Sequence, residues 1–217
     1  MKTITTLIVA ATVFNFTFAQ TTPAKKSTLS PKAAPAKTAA AKPMTKEEMD
    51  AKQEKNMKAW MEYMTPGKMH KMIAESNGEW KEEITLWMTP GAPPTTTSGS
   101  CENKMIMGDR YQESTHKSEM NGMPFEGTGI LGYDNAKKVF VSSWIDNMGT
   151  GIMHMEGKWD EKTNTVHFTG KTVDPMSGKD LAVREEFKMI SNNSQTMEMY
   201  MTENGKEFKT MEIKFTR

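Results

Sequence analysis

The fold is decided by residues 195–217, which read QTMEMYMTENGKEFKTMEIKFTR. Apolar and polar residues alternate along the first half, where Met197, Met199 and Met201 occupy every second position. A period of two is typical of a β-strand with one buried face. The Asn-Gly pair at 204–205 separates this run from a second alternating run, which indicates a tight hairpin. The stretch therefore predicts two antiparallel strands.

The same rhythm extends upstream to residue 78, with short turn-forming segments between the runs, such as NGMP at 121–124 and EKTN at 161–164. Short links join antiparallel neighbours, and so long a meander exposes two edges unless it closes. Gly127, Gly129 and Gly132 in one strand favour the bending that closure requires. We predict a mainly β protein, an antiparallel up-and-down β-barrel of roughly ten strands over 78–217, with a β-sandwich as the alternative.

Two short helices are predicted ahead of the barrel, within residues 45–77. Thr45 and Glu48 have the spacing of a capping box, and Thr65 is a candidate cap for the second helix. The strand that begins at Val139 is apolar on both faces. We expect the helices to cover that strand from outside.

The N-terminal residues have the pattern of an export signal. Residues 1–19 combine Lys2, a short apolar run, and small residues at Thr17 and Ala19, as signal peptides do. Residues 20–44 are rich in Ala, Pro, Thr and Lys, which predicts a disordered linker. We predict a periplasmic or secreted protein with no integral membrane segment after signal removal.

Composition narrows the function classes. The net charge of +1 gives no bulk electrostatic argument for nucleic-acid binding. Cys101 is the single cysteine, so an internal disulfide is impossible, and it is interpreted as a plain thiol. Methionine accounts for 22 of 217 residues and replaces part of the usual leucine.

The alternation also predicts which side chains face the lumen of the barrel. A lumen lined by Met and Trp with a few polar groups is typical of a small-molecule site, although a filled core is the alternative. Glu82 and Glu185 are also predicted to face inward, with Arg110 as a possible ion-pair partner. The predicted ligand-binding residues are Trp87, Met105, Met107, Arg110, Trp144, Asp146, Met153, Met155, Phe187, Met197 and Met199.

Two other functions are weaker alternatives. Met and His are soft ligands for Cu(I), yet in a strand His154 points away from Met153 and Met155, so this triplet cannot chelate as a unit. No phosphate loop, nucleophile elbow or zinc-protease motif occurs, and Cys101 has no His nearby in sequence. An enzyme would have to use the inward carboxylates. We predict no cofactor and no metal.

Several segments resemble a bacterial family catalogued as a domain of unknown function. They are GEWKEEITLWMTPGAPP, GDRYQE, GMPFEGTGILGYDN, SSWIDNMGTGIM and KTMEIKFTR, and the resemblance covers residues 78–217. Family members typically have Gly-Gly-Arg where this chain has Gly-Asp-Arg at 108–110. The positions that recur in the family match Trp87, Arg110, Phe125, Tyr133, Asp134, Asn135, Trp144, Asp146, Asn147 and Thr150.

The resemblance implies a calycin-type barrel, akin to lipocalins and fatty-acid-binding proteins, and it carries no catalytic residues. The analogy with lipocalins favours a small apolar ligand. The sequence is therefore interpreted as an exported protein that binds such a molecule in its lumen and is more consistent with a binding protein than with an enzyme.

Overall fold

The computed structural model describes residues 44–120, 122–203 and 205–217. Ten antiparallel strands follow one another in chain order and the last pairs with the first, which closes the barrel. The predicted barrel is confirmed. The helices are α1 (Lys46–Met64) and α2 (Lys68–Ala74). The strands are β1 (Gly78–Leu86), β2 (Thr95–Ile106), β3 (Tyr111–Met120), β4 (Met123–Asp134), β5 (Val139–Asp146), β6 (Met153–Asp160), β7 (Thr165–Val173), β8 (Asp180–Ser191), β9 (Ser194–Glu203) and β10 (Lys206–Thr216).

The tight links between strands use residues with positive φ, as the sequence indicates. Gly122 and Gly205, the second residues of two Asn-Gly pairs, have φ of 79° and 75°. These conformations suit hairpin turns that match the twist of the strands. In the β2–β3 link, Asp109 has a φ of 61° at the position where family members typically have glycine.

The first helix begins as predicted, whereas the second does not. Thr45 Oγ1 accepts a hydrogen bond from Glu48 N, and the Glu48 carboxylate accepts one from Thr45 N, which completes the capping box. Thr65 donates its hydroxyl to the Met61 carbonyl at 2.6 Å and so caps the end of α1. The prediction that it begins α2 is wrong, because Gly67 holds the N-cap position there.

One mouth of the barrel is closed by α2. Ile73 is 1% exposed and packs in one cluster with Phe140, Phe168 and Met199, which come from β5, β7 and β9. Contact with such distant strands requires Ile73 to lie within the mouth rather than on the outer wall. We call this the closed mouth.

The expectation that the helices cover β5 from outside is therefore wrong. The strands that α2 contacts most are β3 and β4. On the outer face of β5, Ile145 is 49% exposed. Along α1 no described residue is buried, and Trp60 is 60% exposed. Neither described helix is long and apolar enough to cross a membrane. The predicted signal at 1–19 and nearly all of the predicted linker at 20–44 lie outside the described residues.

Candidate functional site

Strand register places most of the predicted lining residues on the inner wall. Trp144 pairs with Gly129 and Met153, and Met199 pairs with Glu185 and Met211, so these side chains share one face around the ring. The inner face includes Met105, Trp144, Asp146, Met153, Met155, Phe187, Met197 and Met199.

Three predicted lining residues lie elsewhere. Trp87 follows β1 on the outer face, where its ring lies 5.5 Å from Lys209 Nζ. Met107 is 72% exposed in the β2–β3 link, with a φ of 52°. Arg110 in the same link donates from Nη1 to the carbonyls of Met107 and Gly108. Met107 and Arg110 lie in a turn, where strand alternation stops and counting in twos no longer assigns a side chain to the lumen. The outward position of Trp87 agrees with the alternation along β1.

The lumen is densely packed near α2 and looser toward the other mouth, which we call the open mouth. Near α2, Phe140 and Phe168 are 1% and 3% exposed. Toward the open mouth, the inward side chains all keep part of their surface accessible. They include Leu86, Ser118, Phe125, Asp146, Met153, Thr172, Leu181 and Met201. The inner wall is therefore apolar and fully buried at the closed mouth and partly accessible at the open mouth.

A carboxyl group without a partner lies in this wall. Glu185 on β8 is flanked in the sheet by Phe168 of β7 and Met199 of β9. Among the described residues nothing donates a hydrogen bond to it and no cation lies near it, and burial raises the pKa of Glu185 to about 7. The Glu185 residue nevertheless keeps some accessible surface.

The charged groups of the inner wall are all acidic apart from one histidine. Away from the exposed strand ends, the inward acids of the described strands are Glu82, Asp146 and Glu185, and the histidine is His116. Every Lys and Arg of the described strands lies on the outer face or in a strand end, where many form ion pairs. The lumen therefore disfavours anions.

The partner of Glu82 is His116, a pairing that the sequence analysis missed. His116 Nδ1 lies 2.7 Å from Glu82 Oε1, and its Nε2 lies 3.6 Å from Cys101 Sγ. The three residues come from adjacent strands β1, β2 and β3, and their ligand atoms lie within 4.8 Å of one another. Arg110 is not a partner of either inward glutamate. Glu82 and Glu185 lie on β1 and β8, which are not neighbouring strands.

Next to His116, Trp144 is held against the wall by a hydrogen bond and by the absence of side chains beneath it. Its Nε1 donates to Asp146 Oδ2 at 2.8 Å, and its ring meets the His116 ring edge to face at 5.0 Å. A Cβ at Gly127 would overlap the Trp144 ring. Glycine at 127 is therefore required for this position of Trp144.

We expect Gly127→Ala to displace Trp144 and to lower the free energy of unfolding by about 1–3 kcal/mol, as overpacking does. The measurement is urea unfolding combined with near-ultraviolet circular dichroism. The control is Gly151→Ala, where an added Cβ meets nothing within 4 Å, and we expect a change below about 0.5 kcal/mol there. Equal effects of the two substitutions would contradict this account of Trp144.

Several positions that recur in the resembling family have architectural roles here. Asp134 Oδ1 accepts from the backbone N–H groups of Ala136 and Lys137 and so shapes the β4–β5 turn. Asn135 Nδ2 donates to the backbone carbonyls where α1 ends. Asn147 joins two strand ends through the backbone of Pro124 and Glu126. These three side chains hold turns and strand ends in place through hydrogen bonds to the backbone.

The methionine-histidine triplet behaves as the alternation predicts. Met155 is 5% exposed on the inner face, whereas His154 is exposed on the outer face. His154 lines a shallow groove of about 490 Å³ on the outer wall, with Tyr111, Ile130 and Glu156. Glu82, His116 and Glu185 do not line this groove. Because these titratable groups face the lumen, the lumen is the stronger candidate site.

Comparison with known proteins adds a family and a fold. Residues 65–217, which include α2 and all ten strands, match the model of a family described as protein of unknown function (DUF1579). A comparison with curated proteins finds no match.

Among solved structures, the chain is similar to Rv2717c from M. tuberculosis, with a TM-score of 0.54 and 11% identity over 70% of this chain and 99% of that one. It is also similar to the S-type phycobiliprotein lyase CPES from Guillardia theta, with a TM-score of 0.47 and 10% identity over 72% of this chain and 95% of that one. At such identity, the likeness to Rv2717c shows a shared barrel fold, and function has to be argued from the site.

Proposed function

The chain belongs to the DUF1579 family of proteins of unknown function, and from this premise we propose that its barrel binds a small, mainly apolar molecule without converting it. The single observation that carries the proposal is the unpaired carboxyl of Glu185 within an apolar wall. An unsatisfied buried acid is costly, and a ligand that supplied the missing partner would remove that cost.

The surroundings of Glu185 define the polar end of the ligand. With three acids and no Lys or Arg on the inner wall of the described strands, an anionic head group would meet repulsion. An uncharged or cationic hydrogen-bond donor, such as an amine or a hydroxyl, would instead pair with the Glu185 carboxyl. The apolar remainder would pack on the methionines, whose flexible side chains adapt to varied shapes.

We further propose that binding takes place outside the cytoplasm. The support is the signal-like pattern of residues 1–19 and the linker-like composition that follows it. The copper alternative has no specific support, because the inward methionines are spread over several strands together with Phe, Leu and Val as wall residues.

Two dyes that share one ring system but differ in charge test whether the lumen prefers uncharged ligands to anionic ones. N-phenylnaphthylamine is an uncharged arylamine, and anilinonaphthalene sulfonate is its anionic counterpart. We expect the arylamine to bind the lumen with a Kd at least about 10-fold lower than the sulfonate, a difference of about 1.4 kcal/mol. Fluorescence titration measures both, and Glu185→Gln should narrow the gap by improving sulfonate binding.

A matched pair of substitutions locates the dye. Met201 and Thr202 are neighbours on β9, with Met201 inward and Thr202 outward. Met201→Trp should weaken arylamine binding by at least about 10-fold, about 1.4 kcal/mol, while Thr202→Trp leaves it unchanged. If both variants bind the dye as the unmodified protein does, or if neither dye binds at all, the proposed lumen function is wrong.

A further inference from the structure

A second site, independent of the proposed lumen ligand, lies where Glu82, Cys101 and His116 converge. These residues come from three adjacent strands, and strand pairing sets Cys101 directly opposite His116. Glu82 and Cys101 are 4% and 3% exposed, and 14% of the His116 side chain is accessible. The geometry assigns to this cluster a binding site for a borderline transition-metal ion of the Zn²⁺ type.

The hydrogen bond to Glu82 determines which nitrogen of His116 is available to a metal. A carboxylate accepts hydrogen bonds, so the 2.7 Å contact places the imidazole proton on Nδ1. In the neutral ring this leaves the Nε2 lone pair free. A carboxylate behind the imidazole is the arrangement that orients metal-binding histidines and increases their basicity.

The distance between Cys101 Sγ and His116 Nε2 fits two ligands of one tetrahedral ion. With a metal–sulfur distance of ~2.3 Å, a metal–nitrogen distance of ~2.05 Å and a tetrahedral angle, the two ligand atoms lie about 3.6 Å apart. The observed separation is 3.6 Å. Asn103 Oδ1 lies 3.2 Å from the same sulfur and is placed to supply an oxygen, with water completing the shell.

Nucleophilic catalysis by the same three residues is disfavoured. Burial, together with the charges of Glu82 and Glu102, raises the pKa of the Cys101 thiol to about 12. A cysteine nucleophile must be a thiolate near neutral pH, which this thiol is not. A bound dication removes the conflict, because it displaces the thiol proton and compensates the negative charges of Cys101 and Glu82.

The backbone of β2 packs closely against the Glu82 carboxylate. A Cβ at Gly99 would approach Glu82 Oε2 to 2.7 Å, so glycine is required beside the carboxylate. On the lumen side His116 lies against Trp144, with their ring centroids 5.0 Å apart, and 14% of the His116 side chain is accessible. The cluster contains neither Met153 nor Met155, so it differs from a methionine site for Cu(I).

Cobalt titration of the purified chain under reducing conditions tests the site, since Co²⁺ substitutes for Zn²⁺ and reports its ligands. We expect tetrahedral visible bands and a thiolate-to-cobalt charge-transfer band, both lost on addition of Zn²⁺. Cys101→Ser should abolish the charge-transfer band, and His116→Gln should weaken Co²⁺ binding by at least about 10-fold. Glu82→Gln should weaken it about 10–100-fold while the charge-transfer band remains.

The control is His154→Gln, an exposed histidine on the outer wall, which should leave the titration unchanged. Circular dichroism establishes that each variant is folded. Cys101 is the single cysteine, so a second measurement needs no variant: Zn²⁺ should slow its modification by a maleimide at least about 10-fold, as metal coordination removes the free thiolate. Absence of the charge-transfer band, or a maleimide rate that Zn²⁺ does not change, would overturn the inference.

Discussion

Replacement of Trp80 by alanine is expected to lower the free energy of unfolding by about 3–5 kcal/mol. Trp80 is 2% exposed in a cluster with Ile84, Cys101 and Phe215. Its Nε1 donates to the Ser76 carbonyl at 2.8 Å, and the guanidinium of Arg217 lies 4.3 Å from its ring. Truncation leaves a large cavity and removes one of the two hydrogen bonds to the Ser76 carbonyl, which keeps only the bond that Asn103 Nδ2 donates.

The matched control is Trp60→Ala, since Trp60 is 60% exposed on α1, and a change below about 0.5 kcal/mol is expected there. Urea unfolding followed by far-ultraviolet circular dichroism measures both variants. If Trp80→Ala does not fold, Trp80→Phe retains most of the volume and should cost about 1–2 kcal/mol through the lost hydrogen bond. If Trp80→Ala and Trp60→Ala lowered the free energy of unfolding equally, closure of the barrel would not depend on Trp80.

A dependence of stability on pH is expected from Glu185. In the folded chain the pKa of the Glu185 carboxyl is raised to about 7, whereas the ordinary pKa of a glutamate is 4.5. Between these two pKa values the folded state binds more protons than the unfolded state, so the free energy of unfolding falls as pH rises. The contribution of protonated Glu185 is fully present below pH 4.5 and fully lost above the folded pKa. Because Glu185 keeps some accessible surface, the loss should be on the order of 2 kcal/mol, below what the full shift implies.

Urea unfolding at about pH 5 and about pH 8 measures this loss. Glu185→Gln should abolish the fall in the free energy of unfolding between the two pH values. The variant should therefore be more stable than the unmodified protein at the higher pH and equally stable at the lower pH. Glu203→Gln, an exposed position on β9, is the control and should follow the unmodified protein. If Glu185→Gln shows the same fall as the unmodified protein, Glu185 is not the titrating group.

Much of the site could have been found by counting along the sequence. The four-residue link between β2 and β3 sets Met105 opposite Gln112 and, four residues further along each strand, Cys101 opposite His116. That pairing follows from the turn, yet a turn of unknown length leaves it ambiguous, because a shift of one residue moves every side chain to the other face. The third member, Glu82, depends on a register across the longer β1–β2 link.

The misplaced residues have two explanations. Met107 was assigned by extending alternation beyond β2, and Arg110 as an ion-pair partner for the inward acids. Alternation along β1 sets Trp87 on the face opposite Ile84 and Leu86, and its outward position agrees with that count. Alternation is a property of extended backbone, and it ends where φ becomes positive, as it does at Met107.

The sequence by itself determined the number of strands, their meander, the two helices and most of the inner face, because periodicity and turn chemistry are local properties of the chain. Only the tertiary structure decided that α2 enters the closed mouth, that Glu82 meets His116 and that no described residue pairs with Glu185. Those facts depend on the register of strands joined by long links and on the direction in which a short helix packs. A helix of seven residues has an apolar face in its sequence, but the cavity that receives Ile73 exists only once ten strands have closed.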